Sequence, residues 1–445
     1  RTAHRRMAGR TGINSEITAI KGRQLWDSRG RPTVEAEVVL AGGAVGRAIA
    51  PAGASRGAHE AIDLRDGGEA FGGMGVARAV ANIVGTVAPA LVGRDAADQA
   101  AVDAALVALD ASPNRAEIGA NALVAVSMAV LHAAAAAAGE PVWRWLSGGR
   151  PVRIPLPEIQ IFGGGAHAGR RTDVQDFMVM APRAGSFRRA LEITDAVYRA
   201  AGRLMAAKGA VAGVADEGGW WPNFDSNEDA LDTLTKAIEQ AGFRPGEDVF
   251  ISLDIAANEL GDANGYRLAL DNNRLSGAEM ADLVVGWAKR YPILSIEDPA
   301  GQDDFAAMAD VTGRIGGTLQ IIGDDVLVTN AARVETAAAH GACNAALIKV
   351  NQVGTVTEAK AALDAARGKG WGTIVSARSG ETEDVTIAHL SVGWNAGQLK
   401  VGSFTRSERM AKWNEVLRIE EAMGAGAVFA GASAFAAPVA VRLTA

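Results

Sequence analysis

Six short apolar runs in the later part of the chain, VFISLD, ILSIED, LQIIGDD, AALIKVN, TIVSARS and GQLKVG, each close on a polar or charged residue. Those residues are Asp254, Glu297, Asp324, Lys349, Ser376 and Lys400. The first interval between them is 43 residues, and the next four are 27, 25, 27 and 24. Such an interval holds one strand and one helix with their turns, so the repeat predicts βα units, a parallel sheet and a closed (β/α)₈ barrel of the TIM type. In such barrels the carboxyl ends of the strands form one rim, where residues distant in sequence meet. An acid after one strand is ordinarily a helix N-cap. Capping does not account for ionisable residues at four strand ends in succession. The repeat therefore gathers three acids and two lysines at one mouth.

The chain before this repeat has a different texture. From Ile17 to Pro51 apolar residues alternate around a Gly42-Gly43 turn, which predicts an antiparallel meander. Helical periodicity follows from Gly75 to Ala138, broken near Ser112-Pro113-Asn114. We divide the chain into a basic arm at 1–13, an α+β capping domain at 14–150 and a barrel at 151–445. The arm has four arginines and no apolar segment after them, so it does not read as a secretory signal. Residues 122–139 are long enough to test as a membrane span, but half are alanine, and a buried helix is the better reading. A net charge of −7 argues against nucleic acid or an anionic membrane as partner. The single cysteine, Cys343, permits no internal disulfide, fits a cytoplasmic setting and reads as core filler.

Three carboxylates at one mouth, without cysteine or paired histidines, suit a hard oxygen-liganded cation, Mg²⁺ above all. Two lysines beside it make sense if the substrate is a small polyanion. Metal and lysine together can stabilise the enediolate left when a C–H next to a carboxylate is deprotonated. A lysine serves as base where desolvation and nearby positive charge lower its pKa.

The chain resembles enolases over nearly its whole length. The resemblance is carried by DSRGRPTVEAEV, GASRGAHEAIDLRDG, GANALVAVSMAV, DEGGWWPN, SIEDPAGQDDF, GDDVLVTN, IKVNQVGTVTEA, RSGETED and RSERMAKWNEVLRIEE. It implies that Asp254, Glu297 and Asp324 hold a first Mg²⁺ and that Ser55, on a lid loop, helps hold a second. It implies that Lys349 removes the C2 proton and that Glu217 protonates the departing C3 hydroxyl. Lys400 would hold the substrate carboxylate, with Arg378 and Ser379 on the phosphoryl group and His167 on another mobile loop. A homodimer or higher homo-oligomer is implied as well.

Five departures from the family pattern fall in or beside these stretches, two of them being Phe162, at the usual Asn before Gly-Gly, and the bulky Trp220-Trp221 after the acid's loop. Ala377 stands where Ser-His-Arg-Ser-Gly has its histidine. Asp176 is one methylene shorter than the usual glutamate. Arg56 replaces threonine in the lid sequence Ala52-Gly53-Ala54-Ser55-Arg56-Gly57. Removing a histidine makes room beside the phosphoryl group, and an arginine can bind a carboxylate through two parallel hydrogen bonds. This pattern resembles the carboxyphosphonoenolpyruvate synthases of phosphonate antibiotic biosynthesis, a branch of the enolases acting on a phosphonoformyl glycerate. An ordinary phosphopyruvate hydratase and an inactive enolase-derived binding protein are the alternatives.

Overall fold

A computed structural model describes residues 14–444. The basic arm expected at 1–13 lies outside the described residues. The chain opens with β1 (Ile17–Trp26), β2 (Pro32–Leu40) and β3 (Val45–Ile49), an antiparallel sheet in the order β1-β2-β3. Alternation buries Val34, Ala36, Val38 and Leu40 of β2, and the long helix Ala120–Ala137 packs over that face. Its alanines allow a close approach. A Cβ at Gly46 of β3 would lie 2.2 Å from the backbone oxygen of Ala129 and 2.2 Å from the nitrogen of Ala133. The helix is 83% buried, so the apolar run at 122–139 forms the core of the capping domain. The same helix ties this domain to the barrel. Asp103, itself buried, accepts from Ser127 Oγ at 2.6 Å and from Thr357 Oγ1 at 2.6 Å.

Eight strands close the barrel: β4 (Leu156–Gly163), β5 (Asp176–Met180), β6 (Phe250–Asp254), β10 (Ile293–Glu297), β11 (Gln320–Gly323), β12 (Ala345–Ile348), β13 (Gly372–Ser376) and β14 (Gly397–Gly402). The intervening β7 (Gly261–Asp262), β8 (Gly265–Leu268) and β9 (Asn273–Leu275) form a small separate sheet, which accounts for the longer first interval of the repeat. The predicted TIM-type barrel and α+β cap are both present.

The sheet is not wholly parallel, which corrects the expectation. β5 runs antiparallel to both β4 and β6. Between β4 and β5 there is only the loop 164–175, with one short turn of helix at Gly165–Ala168. A parallel neighbour would need a full crossover connection, whereas an antiparallel one needs only a loop. Two helices, Phe187–Ala207 and Asn227–Gln240, then follow β5 before the regular alternation begins. The far end of the barrel is closed by Leu156, Met180, Phe250 and Leu294, packed with Phe435, Val439 and Leu443 of the C-terminal segment. Cys343 is buried in the main core.

Gly46→Ala should cost about 1–3 kcal/mol by overpacking, read as a lower midpoint in urea denaturation. An unchanged midpoint would mean that the Ala120–Ala137 helix does not lie against β3 as described.

Candidate active site

The strand ends deliver their ionisable residues to one rim, and all are buried. Asp254 and Glu297 are the last residues of β6 and β10 and stand opposite each other in register. Lys400, from β14 across the barrel, joins them: its Nζ donates to Asp254 Oδ2 at 2.9 Å and to Glu297 Oε2 at 2.8 Å. It also lies 3.6 Å from Asp176 Oδ2. Lys349, just past β12, makes a short ion pair with Asp324, just past β11. Asp324 Oδ1 accepts from Gln352 Nε2 at 2.9 Å.

The loops after β4 and β5 supply the opposite wall. His167 Nδ1 is 3.2 Å from Asp176 Oδ1, and its Nε2 is 3.3 Å from Ser379 Oγ and 3.7 Å from Glu217 Oε1. Burial alone would lower the imidazole pKa, but the carboxylates of Glu217 and Asp176 outweigh it and raise it to about 9. With both of these carboxylates ionised, His167 is a cation at neutral pH. Burial would raise the pKa of Asp176, yet His167, Lys400 and Gln160 together hold it down at about 2.

The third wall comes from the capping domain. Arg378 follows β13, and its guanidinium is held by Glu60 through Nη1 at 3.0 Å and Nη2 at 3.2 Å. Asn351 Oδ1 at 3.0 Å and the carbonyl of Ser55 at 3.1 Å take further donors. Ala52 and Gly380 exchange two backbone hydrogen bonds of 2.9 Å, so the lid loop is stitched to the loop after β13. Gly53 is required where it stands, because a Cβ there would come within 2.0 Å of Arg378 Nη2. From behind, Arg409 donates to the carbonyl of Arg378 at 2.6 Å and to that of Ser379, fixing the backbone of this loop.

One cavity is lined by Ser55, His167, Asp176, Glu217 and Asp254, and by Lys349, Ala377, Arg378, Ser379 and Lys400. Glu297 and Asp324 lie outside its lining but are bonded to Lys400 and Lys349, which belong to it. Arg56 does not line the cavity. Its side chain is exposed, no hydrogen bond among the described residues holds it, and its charge is felt at Asp63. In this structure Arg56 is not placed to bind a carboxylate within the cavity. Trp220 faces away too, stacked on Tyr198 at 4.8 Å between ring centres.

Two family models match the chain: the enolase N-terminal domain over residues 17–146 and the enolase C-terminal TIM barrel domain over residues 151–438. The chain belongs to the enolase family. Enolases are hydro-lyases that typically use Mg²⁺ and act on small phospho-carboxylates. The residues present fit a hard divalent cation. Glu297 Oε1 is fully buried without a hydrogen-bond partner. Burial and the charge of Asp254 push the Glu297 carboxyl well above its ordinary range. A cation among Asp254, Glu297 and Asp324 would relieve both features, and the donor set is all oxygen. Among the described residues, the tightest acid groupings are different ones, His167 with Asp176 and Glu217, and Asp298 with Asp324 and Asp325. The expected three acids are each paired with a lysine, Asp254 and Glu297 with Lys400 and Asp324 with Lys349.

Lys349 also departs from expectation. Burial presses its pKa down, but Asp324 overrides this and the pKa is raised. Arg378 and Lys400 oppose Asp324, so whatever engages the Asp324 carboxylate elsewhere shifts Lys349 toward the neutral amine. Glu60, Gln160, Gln175, Gln352 and Arg409 close none of the six apolar runs, so the repeat carries no signal of them. Glu60→Gln should destabilise the protein by about 3 kcal/mol, because it leaves the Arg378 guanidinium buried without its counter-charge. A urea midpoint equal to wild type would show that the pair does not hold the lid loop.

Proposed function

We propose that this enolase-family hydro-lyase eliminates water from a glycerate whose C2 oxygen carries a phosphorus group extended by a carboxylate, the reaction of a carboxyphosphonoenolpyruvate synthase. The observation that carries this reading is Ala377. Its methyl group lines the cavity next to Arg378 and Ser379, at the end assigned to the phosphorus group. The family pattern has an imidazole at that place, so this wall offers added room beside the cationic groups that bind phosphorus oxygens.

In this reading Lys400 binds the substrate carboxylate, and Arg378, Ser379 and His167 hold the phosphorus group. Neutral Lys349 takes the proton from C2. The C3–O bond then breaks as Glu217 gives its proton to the leaving hydroxyl, so that water departs and the C2–C3 double bond forms. Asp254, Glu297 and Asp324 would hold Mg²⁺, with Ser55 helping to hold a second ion, and the positive charge so supplied would steady the developing enolate. The buried loops keep bulk water from these groups, which strengthens every charge contact among them.

An ordinary phosphopyruvate hydratase is the second reading. It is favoured by His167, which stands 3.3 Å from Ser379 Oγ and serves a plain phosphate as well. Incubation with Mg²⁺ and either 2-phosphoglycerate or its carboxyphosphono counterpart, followed by enol absorbance in the ultraviolet, separates the two. We expect turnover of the carboxyphosphono compound. Efficient turnover of 2-phosphoglycerate would overturn the extended-substrate reading, and inactivity on both with Mg²⁺ bound would favour a binding protein. Lys349→Ala should abolish solvent exchange of the C2 hydrogen while Mg²⁺ binding, measured by calorimetry, persists. Retained exchange would refute Lys349 as the base.

A further inference from the structure

Gln160 interrupts the apolar run LPEIQIFG of β4 and is buried. Its side-chain oxygen accepts the N–H of Gly219 at 2.9 Å, from the loop that carries Glu217. A carboxamide has one acceptor and one donor end, so this bond fixes which end faces the site. The NH₂ group is left to the acids, and Nε2 donates to Asp176 Oδ1 and, at 3.3 Å, to Glu217 Oε2. The seat is tight. A Cβ at Gly219 would come within 2.5 Å of Gln160 Oε1, and one at Gly163 within 3.0 Å.

We propose that Gln160 is a positioning residue for the elimination half of the reaction, holding Glu217 so that Oε1, on the side of His167, carries the acid proton. A neutral carboxyl accepts a hydrogen bond through its carbonyl oxygen and bears its proton on the other. The amide donates to Oε2 and thereby assigns the proton to Oε1. This inference rests on the reading of Glu217 as the acid that protonates the leaving hydroxyl.

The two halves of the reaction can be followed separately in the intact protein with Mg²⁺. Loss of label from C2-deuterated substrate reports proton abstraction, and enol absorbance reports elimination, with whichever of the two glycerates wild type accepts. Gln160→Ala should slow enol formation about tenfold or more while C2 exchange stays within about threefold of wild type, since only the acid step loses its orientation. Gln160→Met, of similar length but without the hydrogen bonds, should behave alike and serves if the alanine variant does not fold. Gln160→Asn should recover part of the loss. Equal slowing of both halves, or of neither, would overturn the inference and leave the proposed function standing. A wild-type protein that neither exchanges C2 nor forms the enol would remove the proposed function and this inference with it.

Discussion

Lys400 is bonded at once to Asp254 and Glu297, from two neighbouring strands on the far side of its own strand's barrel, and it stands close to Asp176 on a fourth. Charges taken out of water are costly unless they are paired. The acids at the ends of β6 and β10 can be buried together because this ammonium lies between them. The barrel must therefore close for the pairing to exist, and the pairing makes closure compatible with so many acids at one mouth. Lys349 and Asp324 repeat the arrangement on the next pair of strands. The rim is a set of opposite charges supplied by strands that meet only in the closed barrel.

The capping domain is joined to that rim by the same kind of interaction. Glu60 neutralises Arg378, and its carboxylate also accepts from Gln352 at 3.3 Å, the residue whose amide bonds Asp324. A continuous chain of hydrogen bonds thus runs from the lid loop to the partner of Lys349. The lid backbone contributes the carbonyl of Ser55 to the same guanidinium. Domain contact and site assembly are one event here, since the residue that binds the lid is also a wall of the cavity.

How far the site could be read from sequence follows from where each residue sits. Asp254, Glu297, Asp324, Lys349 and Lys400 close apolar runs of even spacing, and strand alternation with the rim of a barrel places them together. β4 and β5 carry no such signal, because the loop between them is too short for a helix and the unit length of the repeat is absent. Gln160 is an isolated amide inside a strand, and Glu60 sits in a loop without regular structure, so their partners become apparent only in three dimensions. Arg56 shows the reverse. A residue type suited to anion binding stands beside a site residue, yet the chain turns its side chain outward. Lys349 stands just past β12, where the repeat places it, whereas its pKa depends on its nearness to Asp324, which spacing along the chain does not encode.

The charge set also bears on whether this protein has kept its chemistry. Replacing a buried ionic network with apolar residues of similar volume is often neutral or stabilising by about 1–4 kcal/mol. A chain retained only for binding or architecture would gain from such replacements, and nothing in barrel packing requires Glu297 to leave one oxygen buried without a partner. Asp176 Oδ2, in the cavity wall, is likewise left without a hydrogen bond, with the Lys400 ammonium 3.6 Å away. These atoms cost stability in the arrangement described and have no structural return there. Their retention is accounted for if the unsatisfied oxygens are engaged during the reaction, by a cation at Glu297 and by the shifting hydrogen bonds of Lys400 at Asp176. Ala377 and Asp176, the two shortened side chains, line the cavity beside this network, so the proposed extended substrate asks for room there and for no change in the charges of Lys349, Lys400 and their acids.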